Sequence, residues 1–316
     1  MSSVLSAKHF HDEAAAFAFV EKRVWPNGPV CPHCGGVERI GALKGKSTRL
    51  GTYKCYQCRK PFTVKVGTVF ESSHIPMHIW LQGIALLSSS KKGISTNQLH
   101  RILGITLKAA WFMSHRIREA MRSGSLAPMG GSGGIVEADE TYIGKRKEKR
   151  TMRTSGQPFI KGGKAAQKLA VISLVERGGS VRSFHVENAD KATVNNIVRD
   201  NIAREACVHT DESRIYNDMR GNVASHDTVK HSVGEYVRYE PGRSIHTNTV
   251  EGVFSILKRG MVGVYQHCAE KHLHRYLAEF DFRYNHRIAL GVNDTARADA
   301  AIKGIVGKRL TYRAVV

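Results

Sequence analysis

The sequence predicts an α/β protein in which a mixed-sheet domain follows a cysteine-rich unit and a helical region. Apolar runs short enough to be strands flank a helical pattern between residues 169 and 211. Two C-x2-C pairs lie near the amino terminus, and helical periodicity covers residues 76–123. The expected divisions are a helix and cysteine unit at 1–70, a helical region at 71–123, a linker at 124–134, the α/β domain at 135–290 and a tail at 291–316.

Four cysteines of the first region have the spacing of a zinc ribbon. Cys31 and Cys34 form one pair, and Cys55 and Cys58 form the other after 20 intervening residues. In a ribbon each pair lies on a tight turn and supplies half of a tetrahedron of thiolates. Four thiolates leave no open position for a substrate, so the zinc is expected to be structural. The alternatives are buried free thiols, a redox pair, or His33 in place of one cysteine.

The helical region predicts a helix-turn-helix. A short helix at 96–103 is followed by a turn at Gly104 and a longer helix at 107–118. The second helix would enter the major groove of DNA. The alternative is two ordinary packed helices. The basic residues that favour DNA binding are Lys108, Arg116, Arg118 and Arg122.

The balance of charge predicts an anionic partner. The chain has 48 Lys and Arg against 27 Asp and Glu, a net charge of +21, which favours nucleic acid first and an acidic membrane surface second. No apolar run of about 18 residues is present, and the first residues lack the features of a signal peptide, so we expect a cytoplasmic protein.

Residues 145–168 carry nine Lys and Arg against one acid and are expected to form a solvated loop that contacts phosphates.

Two aspartates lie on predicted strands of the α/β domain. Asp139 is near the centre of a strand at 135–143. Asp211 directly follows a buried strand at 206–210, which comes after a hairpin of two strands and a helix at 191–202. In α/β domains the site lies at the ends of the strands.

A third acid begins an amphipathic helix between residues 246 and 258. Val250, Phe254 and Leu257 recur at helical spacing and form its buried stripe. Glu251 and Lys258 are seven residues, or two turns, apart and share another face.

Three acids on separate elements are enough for a magnesium site, because Mg²⁺ uses few carboxylates and keeps several waters. Two such ions assist attack on a phosphodiester. Singly, each acid also has an ordinary explanation as a turn former or a partner of the helix dipole. Along the strand, Glu137 shares the face of Asp139 and is a minor alternative ligand, whereas Glu140 is expected on the opposite face.

Four segments resemble the conserved blocks of one family. VEADETYIG, HTDESRIYN, HTNTVEGVFSILKRG and KHLHRYLAEFDFRYNHR are similar to blocks of bacterial insertion-sequence transposases, which join an amino-terminal zinc ribbon to a ribonuclease-H-like DDE domain. The resemblance covers about residues 15–290. It implies a ribonuclease-H-like fold of three antiparallel strands, a helix and further parallel strands.

The resemblance also implies roles for particular residues. Asp139, Asp211 and Glu251 would bind two catalytic Mg²⁺ or Mn²⁺ ions, and Lys258 would contact DNA near the cleaved bond. Asn248 remains the alternative third ligand, since some relatives are described by a motif with Asn in that role. We favour Glu251 because a carboxylate binds Mg²⁺ better than an amide does.

The implied reaction is hydrolysis at the 3′ ends of the element, followed by attack of each freed 3′-hydroxyl on target DNA. The implied partners are terminal inverted repeats, target DNA and further copies of the chain bound to the DNA ends, in a bacterial, nucleoid-associated setting. Two other functions remain open. One is a zinc-dependent DNA-binding regulator with a silent catalytic domain, and the other is a structure-specific nuclease.

Overall fold

The computed structural model describes residues 3–124, 126–145, 151–152, 155, 158–159 and 168–311. The chain divides into two compact units: the first unit contains Met1–Ser123 and His286–Val316, and the second contains Gly124–Asn285. The α-helices are α1 Glu13–Val24, α2 Met77–Ser89, α3 Thr96–Leu103, α4 Leu107–Met121, α5 Lys191–Asn201, α6 Asn248–Gly260, α7 Leu273–Asn285 and α8 Asp294–Lys303. The strands are β1 Ile40–Ala42, β2 Tyr53–Cys55, β3 Pro61–Phe62, β4 Ile135–Ile143, β5 Thr151–Met152, β6 Pro158–Phe159, β7 Leu169–Glu176, β8 Val181–Val186, β9 Cys207–Asp211, β10 Ser225–Val229, β11 Val237–Glu240 and β12 Arg243–His246.

The cysteine region is a small antiparallel sheet in the order β1-β2-β3. Cys31, Cys55 and Phe62 are buried together, and the ring of Trp25 packs edge-on against Tyr53 and Phe62. This core is very small, and domains of this size usually need a metal or disulfides for stability.

The two helices predicted to form a helix-turn-helix are present as α3 and α4. Gly104 ends α3 with φ of 63°, a conformation that suits glycine. Thr106 caps α4 by accepting a hydrogen bond from the backbone N–H of Ala109.

Two of the arginines expected to favour DNA binding are buried in the first unit. Arg116 is 5% exposed, and its guanidinium donates hydrogen bonds to the carbonyls of Val69, Glu71 and Leu310. Arg118 is 1% exposed and donates to the hydroxyl of Ser114. The expectation that these side chains support DNA binding was therefore wrong, because helical spacing alone does not reveal that the end of α4 is enclosed on every side.

The segment 291–316, for which the sequence offered no structure, contains α8. Ala301, Ile302 and Ile305 are buried. Arg23 of α1 pairs with Asp299 of α8, with Nε 2.7 Å from Oδ1. Residues of this segment up to 311 therefore contribute to the core of the first unit.

The second unit contains a five-stranded sheet in the order β10-β9-β4-β7-β8. Strands β4, β7 and β8 pair antiparallel, α5 follows, and β9 and β10 then run parallel to β4. Short strands β11 and β12 form a separate hairpin before α6.

Each face of this sheet is covered by helices, because its strands alternate apolar residues to both sides. Ile172 and Leu174 of β7 pack with α5, whereas Val171 and Val175 pack with α6 and α7. The predicted stripe of α6 is confirmed, since Val250, Phe254 and Leu257 are all buried.

The glycine-rich segment expected to be a linker is attached to the second unit from Met129 onwards. The backbone of Met129 donates to Asn201 O at 2.8 Å and accepts from Ala203 N at 2.8 Å. Gly130 has φ of 74°, and a Cβ there would lie 2.6 Å from Cβ of Ala206, so glycine allows close packing at this point.

Most of the basic stretch 145–168 lies outside the described residues; its described part includes the short strands β5 and β6, which pair antiparallel. Within the described residues, no helix is both long enough and apolar enough to cross a bilayer.

Candidate metal centres

The four predicted cysteines come together in the first unit. Their sulfur atoms all lie within 4.8 Å of one another, and Sγ atoms of Cys31 and Cys58, and of Cys34 and Cys55, are 3.7 Å apart. A Zn–S bond of about 2.3 Å gives a tetrahedron with an edge of about 3.8 Å. The donor set and its spacing therefore fit a structural zinc ion.

A second group of metal-binding side chains lies at the end of the sheet in the second unit. Asp139, Glu140 and Asp211 each present a carboxylate oxygen, and these oxygens lie within 4.8 Å of one another. Two of these residues, Asp139 and Asp211, were predicted from the sequence.

These aspartates lie near the point where β9 ends beside the middle of β4. The parallel pairing of β4 with β9 covers Ile135 to Glu137 only, so Asp139 lies where the two strands have separated. Asp211 is the last residue of β9, and its Oδ1 accepts the backbone N–H of Ser213 at 3.0 Å. Oδ1 of Asp139 accepts its neighbour's N–H at 2.8 Å.

The charges at this site disfavour the ionised form of Asp139. Burial, followed by the charges of Glu140, Asp211 and Glu251, raises the pKa of Asp139 to about 8 from 3.8. A divalent cation bound between the carboxylates would relieve this repulsion. The carboxylate oxygens are also the ligands that Mg²⁺ and Mn²⁺ prefer, so the residues fit such an ion.

Glu140 is a member of the group that the sequence analysis did not include. Its side chain is on the face opposite Asp139, as alternation requires, because it reaches fully buried Tyr216, which packs beside Ala138. The Tyr216 hydroxyl donates to Oε2 of Glu140 at 2.6 Å. A carboxylate oxygen of Glu140 nevertheless lies within 4.8 Å of oxygens of Asp139 and Asp211. Alternation predicts the face of a residue but not the reach of its side chain.

Glu251 lies in the first turn of α6 and is outside the 4.8 Å group of Asp139, Glu140 and Asp211. Its side chain is 46% exposed, and Oε1 accepts from the Thr247 hydroxyl at 3.2 Å and lies 3.6 Å from Nε2 of His231. Its charge is near enough to contribute to the raised pKa of Asp139.

The other two predicted residues of α6 are also on its surface. Asn248 is exposed at the first position of the helix, and its backbone N–H donates to Nδ1 of His246 at 3.3 Å. Lys258 is exposed in the last turn, two turns after Glu251.

Glu137, the minor alternative ligand, has a different position. Its side chain has no exposed surface, and both carboxylate oxygens already accept hydrogen bonds. It has little capacity left for a metal ion, so the prediction that it is an alternative ligand is not supported by its surroundings.

Comparison with known proteins gives the same two regions. Residues 132–285 match the family described as ISXO2-like transposase domain, and residues 11–61 match the transposase zinc-ribbon domain. The chain is also 28% identical over 291 residues to an uncharacterized protein in transposable element ISH50 of Halobacterium salinarum, an alignment that covers 89% of this chain and 93% of that one.

Two solved structures are weakly similar to the chain. They are the Mos1 transposase paired-end complex with left transposon end and a pre-cleavage Mos1 transpososome, both at 11% identity over 67% of this chain and 77% of theirs, with TM-scores of 0.20 and 0.19. The two matched domains together include the four cysteines and the three clustered acids. The chain belongs to the insertion-sequence transposases that join an amino-terminal zinc ribbon to an ISXO2-like transposase domain.

Proposed function

We propose that this protein cuts and joins the DNA ends of an insertion sequence by metal-dependent phosphodiester hydrolysis and transesterification. The observation that carries the proposal is the group of Asp139, Glu140 and Asp211 within 4.8 Å at the end of a sheet, inside the matched transposase domain. Partly buried carboxylates that lie this close together repel one another, and such groups are concentrated at functional sites.

Asp139 and Asp211 would hold Mg²⁺ or Mn²⁺, with Glu251 as the third ligand from α6. Two bound ions would activate the attacking oxygen and stabilise the leaving oxygen. The charge of Glu251 contributes to the raised pKa of Asp139, and a carboxylate binds Mg²⁺ better than the amide of Asn248 would, which supports Glu251 as the third ligand. Glu140 would add a fourth carboxylate, oriented by the hydroxyl of Tyr216.

The sheet supports assignment of the second unit to the ribonuclease-H-like class. Three antiparallel strands, α5 and then two parallel strands follow one another along the chain, with the first strand at the centre of the sheet. In this arrangement Asp139 and Asp211 lie on the adjacent strands β4 and β9. Asp211 is the last residue of β9, and Asp139 lies just beyond the paired part of β4.

DNA is the proposed substrate, and more than one part of the chain would bind it. The net charge of +21 favours a polyanion. Lys258 shares the exposed face of α6 with Glu251 and would contact a phosphate near the reacting bond.

In the first unit, the first turn of α4 is exposed at Leu107 and Lys108. This turn would read terminal repeats if α3 and α4 act as a helix-turn-helix. Several copies would assemble on paired ends.

The test uses the full chain and DNA that carries the inverted repeats bracketing its coding region. We expect nicks at the repeat ends in the presence of Mg²⁺ or Mn²⁺, and no nicks with Asp139→Asn or Asp211→Asn. Asp200→Asn is the matched control, because Asp200 is an exposed aspartate of α5 in the same unit, and this variant should cut normally.

The same assay separates the other two functions. Binding to the repeats without cleavage by the wild type would favour a DNA-binding regulator. Cleavage of branched DNA without the repeats would favour a structure-specific nuclease. Cleavage that survives both Asp139→Asn and Asp211→Asn would refute the proposed site.

A further inference from the structure

We propose that Glu137 and Arg177 form a positioning unit that fixes β4, β9 and α6, the three elements that carry the candidate metal ligands, relative to one another. The inference rests on the proposed function, because it concerns how that metal site is held together. Neither residue is assigned as a ligand.

The carboxylate of Glu137 is completely engaged inside the second unit. Its Oε1 accepts from Nε of Arg177 at 2.7 Å and from the Thr249 hydroxyl at 2.8 Å, and lies 3.2 Å from Nδ1 of His246. Its Oε2 accepts the backbone N–H groups of Thr249 at 2.8 Å and Val250 at 3.1 Å. These contacts connect β4 directly to the beginning of α6.

The two backbone groups are donors that a helix leaves without partners in its first turn. The residue that precedes α6, Thr247, makes no side-chain cap to the helix, and its hydroxyl donates to Glu251 instead. Glu137, which is 112 residues before Thr249, therefore supplies the missing cap. It also places a negative charge at the positive end of the helix dipole.

Arg177 connects the same carboxylate to two further elements. Nη1 donates to Ser244 O at 2.7 Å, and Nη2 donates to His246 O at 3.0 Å, which attaches β12. Nη2 also lies 3.1 Å from Nδ1 of His209 on β9. His209 is the register partner of Glu137 in the parallel pair of β4 and β9. A planar guanidinium can make these contacts at once, whereas an ammonium cannot.

Three of the candidate ligands, Asp139, Asp211 and Glu251, are each two residues beyond a side chain of this network. On a strand, an offset of two keeps both residues on one face, and on α6 it keeps them within one turn. A shift of a network residue therefore moves the adjacent ligand. The pairs are Glu137 and Asp139, His209 and Asp211, and Thr249 and Glu251.

The interior position of the ion pair is not explained by stability alone. Buried ion pairs are often no more stabilising than well-packed apolar residues of the same volume. The Glu137 and Arg177 pair differs from an ordinary pair because its hydrogen bonds end on the backbone or side chains of the ligand-bearing elements.

The test measures Mn²⁺ binding to the full chain without DNA, by the loss of the free-ion electron paramagnetic resonance signal. Glu137→Gln keeps the shape of the side chain and removes its charge. We expect the Mn²⁺ concentration at half-saturation to rise about tenfold or more, the usual effect of losing a residue that orients a ligand. Circular dichroism should report a folded protein.

Glu279→Gln is the matched control. Glu279 is also fully buried in the second unit, pairs with Arg283 four residues later, and lies on α7, which carries no candidate ligand. This variant should lose stability but keep the wild-type Mn²⁺ midpoint. If both variants shift the midpoint equally, general destabilisation is the cause and the inference is wrong.

Arg177→Lys is the second variant and decides the question if Glu137→Gln does not fold. It keeps a cation beside Glu137 but loses the contacts to His209 and to the β12 carbonyls, so the midpoint should rise here also. The positioning inference is wrong if the folded variants keep the wild-type Mn²⁺ midpoint while Asp139→Asn abolishes Mn²⁺ binding. The proposed metal site would stand in that case. Absence of Mn²⁺ binding to the wild type would instead overturn the proposed metal site, and the inference with it.

Discussion

Asp139 occupies a position where an ionised carboxylate is unfavourable. It is partly buried beside Glu140 and Asp211, and these surroundings raise its pKa to about 8. Three acids held this close together repel one another, which disfavours the folded state. The cost is typical of a site whose ligand supplies the missing positive charge.

The first prediction follows from this cost. Asp139→Asn removes one acid from the cluster, so in the absence of metal the second unit should become more stable by about 1 kcal/mol or more, which corresponds to a rise of roughly 2–4 °C in Tm. Differential scanning calorimetry with and without Mn²⁺ measures this. The wild type should gain stability from Mn²⁺ and the variant should not. A metal-free variant less stable than the wild type would contradict the repulsion described above.

The second prediction concerns the pH dependence of stability through Asp281. Burial raises the pKa of Asp281 on α7 to about 7 from 3.8, although it accepts hydrogen bonds from the N–H and hydroxyl of Ser183. The folded state therefore holds a proton that the unfolded state has lost between pH 4 and 7. The resulting stabilisation is complete below about pH 4 and is lost as pH rises towards 7.

Asp281→Asn cannot titrate, and it isolates this effect. The stability of the wild type relative to the variant should fall from pH 4 to pH 7, by about 1.4 kcal/mol per pH unit at most. Urea denaturation at a series of pH values measures the difference. A difference that does not change with pH would mean that Asp281 titrates normally.

Residue types and spacing were enough to predict the four cysteines, the two aspartates of the cluster and the buried stripe of α6. They were not enough to predict that Glu140 joins the acid cluster or that Glu137 caps α6. The role of Glu140 depends on where β4 separates from β9, and that of Glu137 depends on a helix that begins 111 residues later in the chain. Both are tertiary facts that no local pattern contains.

At the scale of single elements, α4 combines two different surfaces. Its first turn is exposed, but Met113 to Met121 are all buried. Periodicity predicted the helix and its inward stripe correctly. It did not predict that polar residues of the other faces are enclosed as well, because that depends on α8 and the 69–71 segment, which are distant in sequence.

The third prediction contrasts two basic residues of α4. Arg116→Ala leaves three carbonyl groups without their charged donor and should cost about 3 kcal/mol of unfolding free energy. Lys108→Ala is at the exposed end and should change stability by less than about 0.5 kcal/mol while weakening DNA binding. Thermal melts and gel-shift titrations of both variants check this. Equal effects of the two substitutions on DNA affinity at a temperature where both are folded would contradict it.

The fourth prediction concerns the zinc ribbon. Cys55→Ser removes a buried thiolate from the tetrahedron, so zinc content measured by mass spectrometry should fall from about one ion per chain, and the ribbon should lose its folded structure. Binding to terminal-repeat DNA should weaken, whereas Mn²⁺ binding by the second unit should remain. Loss of Mn²⁺ binding in this variant would show that the two metal sites are not independent.

At the scale of the whole molecule, the first unit is built from two separated parts of the chain. Residues 286–311 return to it and contribute α8, with Arg297 donating to Ser88 O at 3.1 Å and Lys308 to Ala120 O at 3.0 Å. The sequence did not predict this, because α8 is rich in alanine and charged residues and has a weak apolar pattern. The α/β class was predictable because β7, β8 and β9 have clear strand patterns, whereas the order of the strands was available only through the family resemblance.

The fifth prediction tests the contribution of this returning segment. A chain that ends at Asn285 loses the buried side chains of Ala301, Ile302 and Ile305 and should unfold the first unit at a markedly lower temperature. Hydrogen exchange should increase in α1, α2 and α4 but not in β4, β7 and β9. Unchanged protection of α2 would mean that α8 adds little to this core.

The split of the first unit has a consequence for synthesis on the ribosome. The second unit is complete, in sequence, before α8 has been made, so it can fold while the first unit still lacks one of its helices. A product of premature termination or a frameshift near the 3′ end of the message would keep the clustered acids but lack the intact unit that contains the four cysteines. In a transposase, this order restricts a complete first unit to chains that have been translated through α8.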